Sequence, residues 1–129
     1  MFIASMKWLQ DAPGYWYLAT PYGKRADREE AWKQALRLRG LLLKRGITCY
    51  CPVAECHPVA IEADIDPLDS ALWAEDLEPK LKAAYGVIVG QLDGVEKSDG
   101  IRDEIKKALA WGKPVLTVDP EDLDPFFYS

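Results

Sequence analysis

Two groups of residues have types and spacing that bear on chemistry. The first is centred on Glu104, in the opening turn of a helix predicted from about Gly100 to Trp111. At about 100° per residue, Ile101, Ile105, Ala108 and Leu109 share an apolar stripe, with Glu104 on its border and Asp103 on the far side. Glu104 is therefore expected to point partly inward and Asp103 to solvent. The positive end of the helix dipole favours a first-turn carboxylate and helps keep it ionised despite partial burial, which suits a nucleophile. Simple complementation of the dipole produces the same placement, so position alone leaves both roles open. The second group is Cys49, Cys51, Cys56 and the only histidine, His57. Cys49 and Cys51 lie at strand spacing with no matching pair elsewhere, which disfavours a metal site. The cysteines are read as packing residues and His57 as shaping its loop, with no metal or organic cofactor expected.

The elements that must position these groups follow from period and punctuation. Tyr15 to Ala19 reads as a first strand, ended by the turn Thr20-Pro21-Tyr22-Gly23. Asp27 to Lys44 carries Ala31, Ala35, Leu38 and Leu42 at helical spacing, and Gly46 closes it. Ile47 to Cys51 reads as a second strand leading into a long connection through Pro52, Pro58 and Pro67, whose length suggests a functional loop. Asp66-Pro67 or Asp69-Ser70 starts a further helix, which Pro79 is expected to interrupt or kink before Ala84. Val87 to Val89, bounded by Gly86 and Gly90, has the continuous apolar character of a central strand buried on both faces. The loop Gln91 to Asp99, the helix bearing Glu104 and a last strand, Val115 to Val118, complete the alternation.

This order predicts one α/β domain over residues 1–129, a flavodoxin-like three-layer sandwich with a parallel sheet of four or five strands. In strand order 2-1-3-4, the loops Thr20 to Arg25 and Gln91 to Gly100 flank the crevice where the order reverses, the default ligand site. Composition agrees with a folded core: hydrophobic residues are 49% and charged residues 29% of the chain. The net charge of -5 argues against long nucleic acids, which need a basic stripe, but not against one small phosphate held at a helix N-terminus. No segment approaches the roughly 20 apolar residues of a membrane span, and the opening run MFIASMKWL lacks the features of a signal peptide. Three cysteines without an export signal fit a reducing, cytoplasmic setting.

YLATPYG at Tyr17 to Gly23, and YGVIVGQLDGVEKSDGIRDEIKKALAWGKPV at Tyr85 to Val115, resemble the nucleoside 2-deoxyribosyltransferase superfamily, which includes deoxynucleoside-monophosphate N-glycosidases. There the third strand is followed by Ser or Asp, then Gly-rich residues, then a catalytic Glu; Ser98, Gly100 and Glu104 stand at those places. The middle segment YCPVAECHPVA at Tyr50 to Ala60, with Trp73 beyond it, is similar to a bacterial and phage branch of that superfamily. The likeness covers the chain from Tyr15 to Val118.

The resemblance implies displacement at the anomeric carbon by Glu104, giving a glycosyl-enzyme that water or a second base resolves. It implies that Tyr17 lies near the sugar, that Ser98 binds a 5′-phosphate or 5′-hydroxyl, and that Asp76 protonates the departing base. Pro21, Tyr22 and Gly23 would line the substrate site, and His57 would reach it. Lys24, Arg25 and Arg28 would complete a phosphate pocket with the amides of Asp99 and Gly100, unless they form only a solvated helix start. The implied ligand is a small nucleotide or nucleoside, and the implied assembly a homodimer or higher homo-oligomer. Tyr85 or Gly86 stands where the superfamily often has an Asp, which motivates a second reading, a nucleotide-binding module without turnover. A transferase acting on unphosphorylated nucleosides is a third. A flavin binder ranks last, because the first loop lacks the Ser and Thr donors a flavin phosphate needs.

Overall fold

The computed structural model describes residues 6–129. In chain order the elements are α1 (Met6–Gln10), β1 (Trp16–Ala19), α2 (Arg28–Lys44), β2 (Cys49–Tyr50), α3 (Pro52–Glu62) and α4 (Ser70–Ala83). There follow β3 (Gly86–Gly90), a 3-10 turn (Val95–Lys97), α5 (Asp99–Ala110), β4 (Val115–Val118) and α6 (Pro120–Leu123). All strand pairs are parallel and the sheet order is β2-β1-β3-β4, as the alternation of elements predicts. Of the opening run MFIASMKWL, residues 1–5 lie outside the described residues.

Successive strand side chains point to opposite faces, so the central strands feed two cores. Trp16, Leu18 and Ile88 pack with Ala35, Leu38 and Leu42 of α2 on one face. Tyr17, Ala19, Val87 and Val89 pack with Leu81 of α4 and Ile101 and Ala108 of α5 on the other. The arrangement is a sheet between two helical layers. Leu81 is the only buried residue of α4, so most of that helix stands off the sheet and leaves a gap beneath it.

Three boundaries differ from the sequence reading, each for a local reason. The expected irregular connection after β2 is instead the helix α3, with Pro52 in its first turn, where a missing N–H costs nothing. Pro58 deprives the Ala54 carbonyl of its helical donor, and the indole Nε1 of Trp32 supplies one at 3.2 Å. Only residues 63–69 remain as connection, closed by Asp66 accepting from the Leu68 amide and by Asp69 capping α4 through the Leu72 amide. Helix α4 runs through Pro79 as one element; the carbonyl it frees belongs to exposed Glu75, where water can satisfy it.

Candidate functional site

A cavity of about 470 Å³ opens at the C-terminal ends of β1 and β3, at the point where the strand order reverses. Its floor is Tyr17 and Ala19 of β1, one side is the first turns of α5, and the opposite side is α4 with the segment before it. The two crevice loops form its rim through Tyr22, Gly23 and Lys24 on one side and Ser98 and Asp99 on the other.

The Tyr17 hydroxyl and the Glu104 carboxyl meet at the floor, close enough for a hydrogen bond between them to favour the carboxylate. Tyr17 is 1% exposed, and burial together with the adjacent Glu104 charge pushes its phenol far above the usual range, so it stays protonated and donates. Burial pushes the Glu104 carboxyl up to about 7, against the lowering effect of the Tyr17 bond, while neighbouring Asp103 raises it and Lys107 lowers it. Helix α5 starts at Asp99, so Glu104 falls in its second turn and not, as expected, in the first, where the helix-terminal field would hold it ionised; desolvation prevails, and near neutrality it exists in both forms.

At the other end of the cavity, Ser98 caps α5: its Oγ accepts from the Ile101 amide at 3.2 Å and its carbonyl from the Arg102 amide at 3.2 Å. The Ser98 hydroxyl proton remains available to a ligand, as do the amides of Asp99 and Gly100, which have no carbonyl one turn back. Lys24 Nζ reaches Asp99 at 3.0 Å across the rim, so a cation already stands beside the helix N-terminus. Lys24 and Arg102 beside Asp99 hold its carboxyl below the usual range.

Of the residues singled out in the sequence, Tyr17, Tyr22, Gly23, Lys24, Ser98, Asp99, Gly100 and Glu104 share this cavity. Five others, Pro21, Arg25, Arg28, His57 and Asp76, lie outside its lining. Pro21 is fully buried within the first loop. Arg25 is turned away: its guanidinium binds Asp27 through two nitrogens, Gln34 Oε1 at 2.9 Å and the Asp93 carbonyl at 3.1 Å. Its side chain is 10% exposed and ties the two crevice loops together. His57, 7% exposed, holds the Tyr22 hydroxyl at 2.7 Å through Nδ1 and packs its ring on Trp32, so it positions a cavity wall from behind. Asp76 is paired with Lys80 at 2.9 Å, and Lys80 in turn with Glu55 at 3.7 Å, on the side of α4 that faces α3 and Tyr50.

Sequence reasoning passed over the α4 wall. Leu68, Trp73, Leu77 and Glu78 line the cavity, as do Asp103 and Lys107 of α5. Asp103 was expected to face only solvent; it is exposed but borders the cavity, because the gap under α4 extends around the side of α5. Lys107 bridges Glu78 at 3.5 Å and Asp103 at 3.4 Å, joining the two helices across the opening. The signal for this wall was the apolar spacing of Trp73, Leu77 and Leu81, which also suits packing on a sheet. Cys49, Cys51 and Cys56 are free thiols, the first two buried in the core. Among the described residues no group of three or more His, Cys, Asp or Glu side chains is placed to hold a metal ion. Among them, too, no helix is long and apolar enough to cross a membrane.

The fold and cavity define a parallel α/β protein with a ligand crevice whose floor holds the buried Tyr17 beside the half-buried Glu104. The chain belongs to the DUF1937 family, described as a domain of unknown function, whose profile matches residues 14–119. That span contains every cavity residue named above. No curated protein matches the chain.

Proposed function

We propose that the protein cleaves the N-glycosidic bond of a nucleoside 5′-monophosphate, with Glu104 as nucleophile. The observation that carries this reading is the Tyr17–Glu104 pair on the cavity floor, with Ser98, Gly100 and Lys24 on the same cavity's rim. A phosphate at the rim, held by the Ser98 hydroxyl, the first amides of α5 and the Lys24 ammonium, directs the attached sugar towards Glu104. A carboxylate oxygen of Glu104 then bonds to the anomeric carbon as the carbon–nitrogen bond breaks, and the base leaves with the electron pair and takes up a proton. Water attacks the same carbon, the ester bond breaks and the carboxylate is restored, while the proton lost by the water passes to solvent and balances the one the base took up. Tyr17 holds the attacking group in line by its hydrogen bond.

The resemblance to nucleoside 2-deoxyribosyltransferases in the two loops supports this chemistry, and the cavity needs no metal for it. Asp76 is outside the cavity lining and paired with Lys80, and the bordering carboxyls Glu78 and Asp103 are both held by Lys107, so the base takes its proton from water in the cavity. One observation favours unphosphorylated nucleosides instead: the Asp99 carboxylate at the rim would accept a hydrogen bond from a 5′-hydroxyl and repel a phosphate. Lys24 and Arg102 already neutralise that carboxylate, so the monophosphate reading stands first.

Incubation with a panel of ribo- and deoxyribonucleosides and their 5′-monophosphates, followed by chromatography for free base, tests the proposal. Release of base from a monophosphate is the expected result. Tight binding of a monophosphate with no release would leave a nucleotide-binding module.

A further inference from the structure

A side chamber of about 110 Å³ opens off the main cavity between the start of α3 and the wall of α4. Pro52, Val53, Pro67 and Leu77 line both spaces, so the two adjoin, and Cys56 is the added wall of the chamber. The rings of Tyr22 and Trp73 complete it. Both rings have polar tips, and both tips are engaged elsewhere. The Tyr22 hydroxyl is on His57 Nδ1 at 2.7 Å, and the Trp73 indole N–H donates to the Asp66 carbonyl at 3.0 Å. The chamber therefore meets a ligand with carbon surfaces and one thiol, and no charged side chain lines it. Its position is equally specific. Cys56 belongs to α3, which starts at Pro52 directly after β2, and β2 pairs with β1 at Tyr17 through Tyr50, so the chamber lies on the β2 side of the floor. The rim with Ser98 and Gly100 is on the side of β3.

We infer that this chamber is a subsite for an apolar substituent on the leaving group, a short alkyl chain or small ring carried by the base. The inference rests on the glycosidic reading: with the phosphate at Ser98 and the anomeric carbon at Glu104, the base extends towards α3 and α4. A dry apolar cavity of roughly 150 Å³ takes a benzene ring, so this chamber takes a group of about four carbons. Water gains little there, since it would find no free partner but the Cys56 thiol. A base without a substituent would leave the space unfilled and forgo the contact.

The test uses a deoxynucleoside 5′-monophosphate and derivatives carrying methyl, butyl or dodecyl groups on the exocyclic amine of the base. Binding is measured by calorimetry and base release by chromatography. Each buried methylene contributes about fourfold in affinity, so the butyl derivative should bind at least tenfold more tightly than its parent. The dodecyl derivative should gain nothing beyond butyl, because the chamber is full. Cys56→Phe, which fills it, should bring the ratio of butyl to parent below about threefold; the chain-length series in the wild type decides the matter should that variant fail to fold. Equal binding of parent and butyl derivative overturns the subsite, and base release from the parent would then leave the glycosidic reading intact. Tighter binding of the butyl derivative with no release from either compound upholds the chamber and removes the chemistry. Binding of neither overturns both.

Discussion

At the scale of single residues, the account turns on how burial sets the charge of Glu104. Its carboxyl is pushed up to about 7 by desolvation, and the attack requires the ionised form. The rate of base release at low substrate should therefore rise with pH through a midpoint near 7. Tyr17→Phe removes the hydrogen bond that favours the carboxylate, so the midpoint should move up. Asp103→Asn removes a charge that disfavours it, so the midpoint should move down. A rate that falls between pH 6 and pH 8 would mean that Glu104 acts as an acid. The same residue makes a stability prediction. Its folded value lies above its ordinary value of 4.5, so its contribution to stability is complete below about 4.5 and lost as pH rises through about 7. Glu104→Gln, which carries no charge, should stabilise the fold at pH 8 by on the order of 2 kcal/mol and have little effect at pH 4. Denaturant titrations of both proteins at the two pH values check this, and equal stability at pH 8 would show that the Glu104 carboxylate is as well solvated in the fold as in the unfolded chain.

At the scale of elements, β3 is central because two glycines let its neighbours approach. A Cβ at Gly86 would stand 2.6 Å from the Pro114 carbonyl oxygen and 2.7 Å from the Trp16 ring. A Cβ at Gly90 would meet mainly the end of Leu38, at 2.7 Å. Backbone cannot move aside as a side-chain tip can, so Gly86→Ala should cost about 2–3 kcal/mol and Gly90→Ala distinctly less, by thermal or denaturant unfolding. Equal costs would show that the β3 and β4 ends yield together. The central strands were legible in the sequence because YLA and VIV are apolar runs bounded by turn residues. Helix α3 was not, because Pro52 and Pro58 read as breakers unless one knows that Pro52 opens the helix and that Trp32 serves the carbonyl freed by Pro58. The α4 wall was hidden for a different reason: apolar residues at helical spacing mark a buried face without saying whether it meets a sheet or a cavity. Long side chains escape such reading altogether. Arg25 sits beside Lys24 in sequence, yet one joins the loops from behind and the other reaches the rim.

At the scale of the whole molecule, charge sets the background against which a local site must act. The net charge of -5 repels phosphate, so a preference for monophosphates over nucleosides would have to come from Ser98, Lys24 and the first amides of α5. That preference should be on the order of 1.5–3 kcal/mol, at least tenfold in affinity, as for a charge-assisted contact. Ser98→Asp should reverse it, since a carboxylate there repels phosphate and accepts from a hydroxyl while still able to cap α5. Titration of wild type and variant with a matched nucleoside and monophosphate decides the point; an unchanged order in the variant would leave Ser98 as a cap alone. The crevice itself could be located from the sequence, because the alternation of elements implies the strand order, and the order implies where the loops diverge. How deep Glu104 sits could not, since burial depends on the gap that α4 leaves over the sheet.

The central claim is that Glu104 forms the bond to the sugar. Free base released from a nucleoside 5′-monophosphate, measured side by side for the wild type and Glu104→Gln, addresses it most directly. The substitution keeps the shape of the side chain and removes the attacking charge. The account predicts base release by the wild type, a loss of at least about a thousandfold in the variant, and monophosphate affinity within a few fold of the wild type. A variant that retains most of the activity, or a wild type that releases no base from any monophosphate, would contradict it.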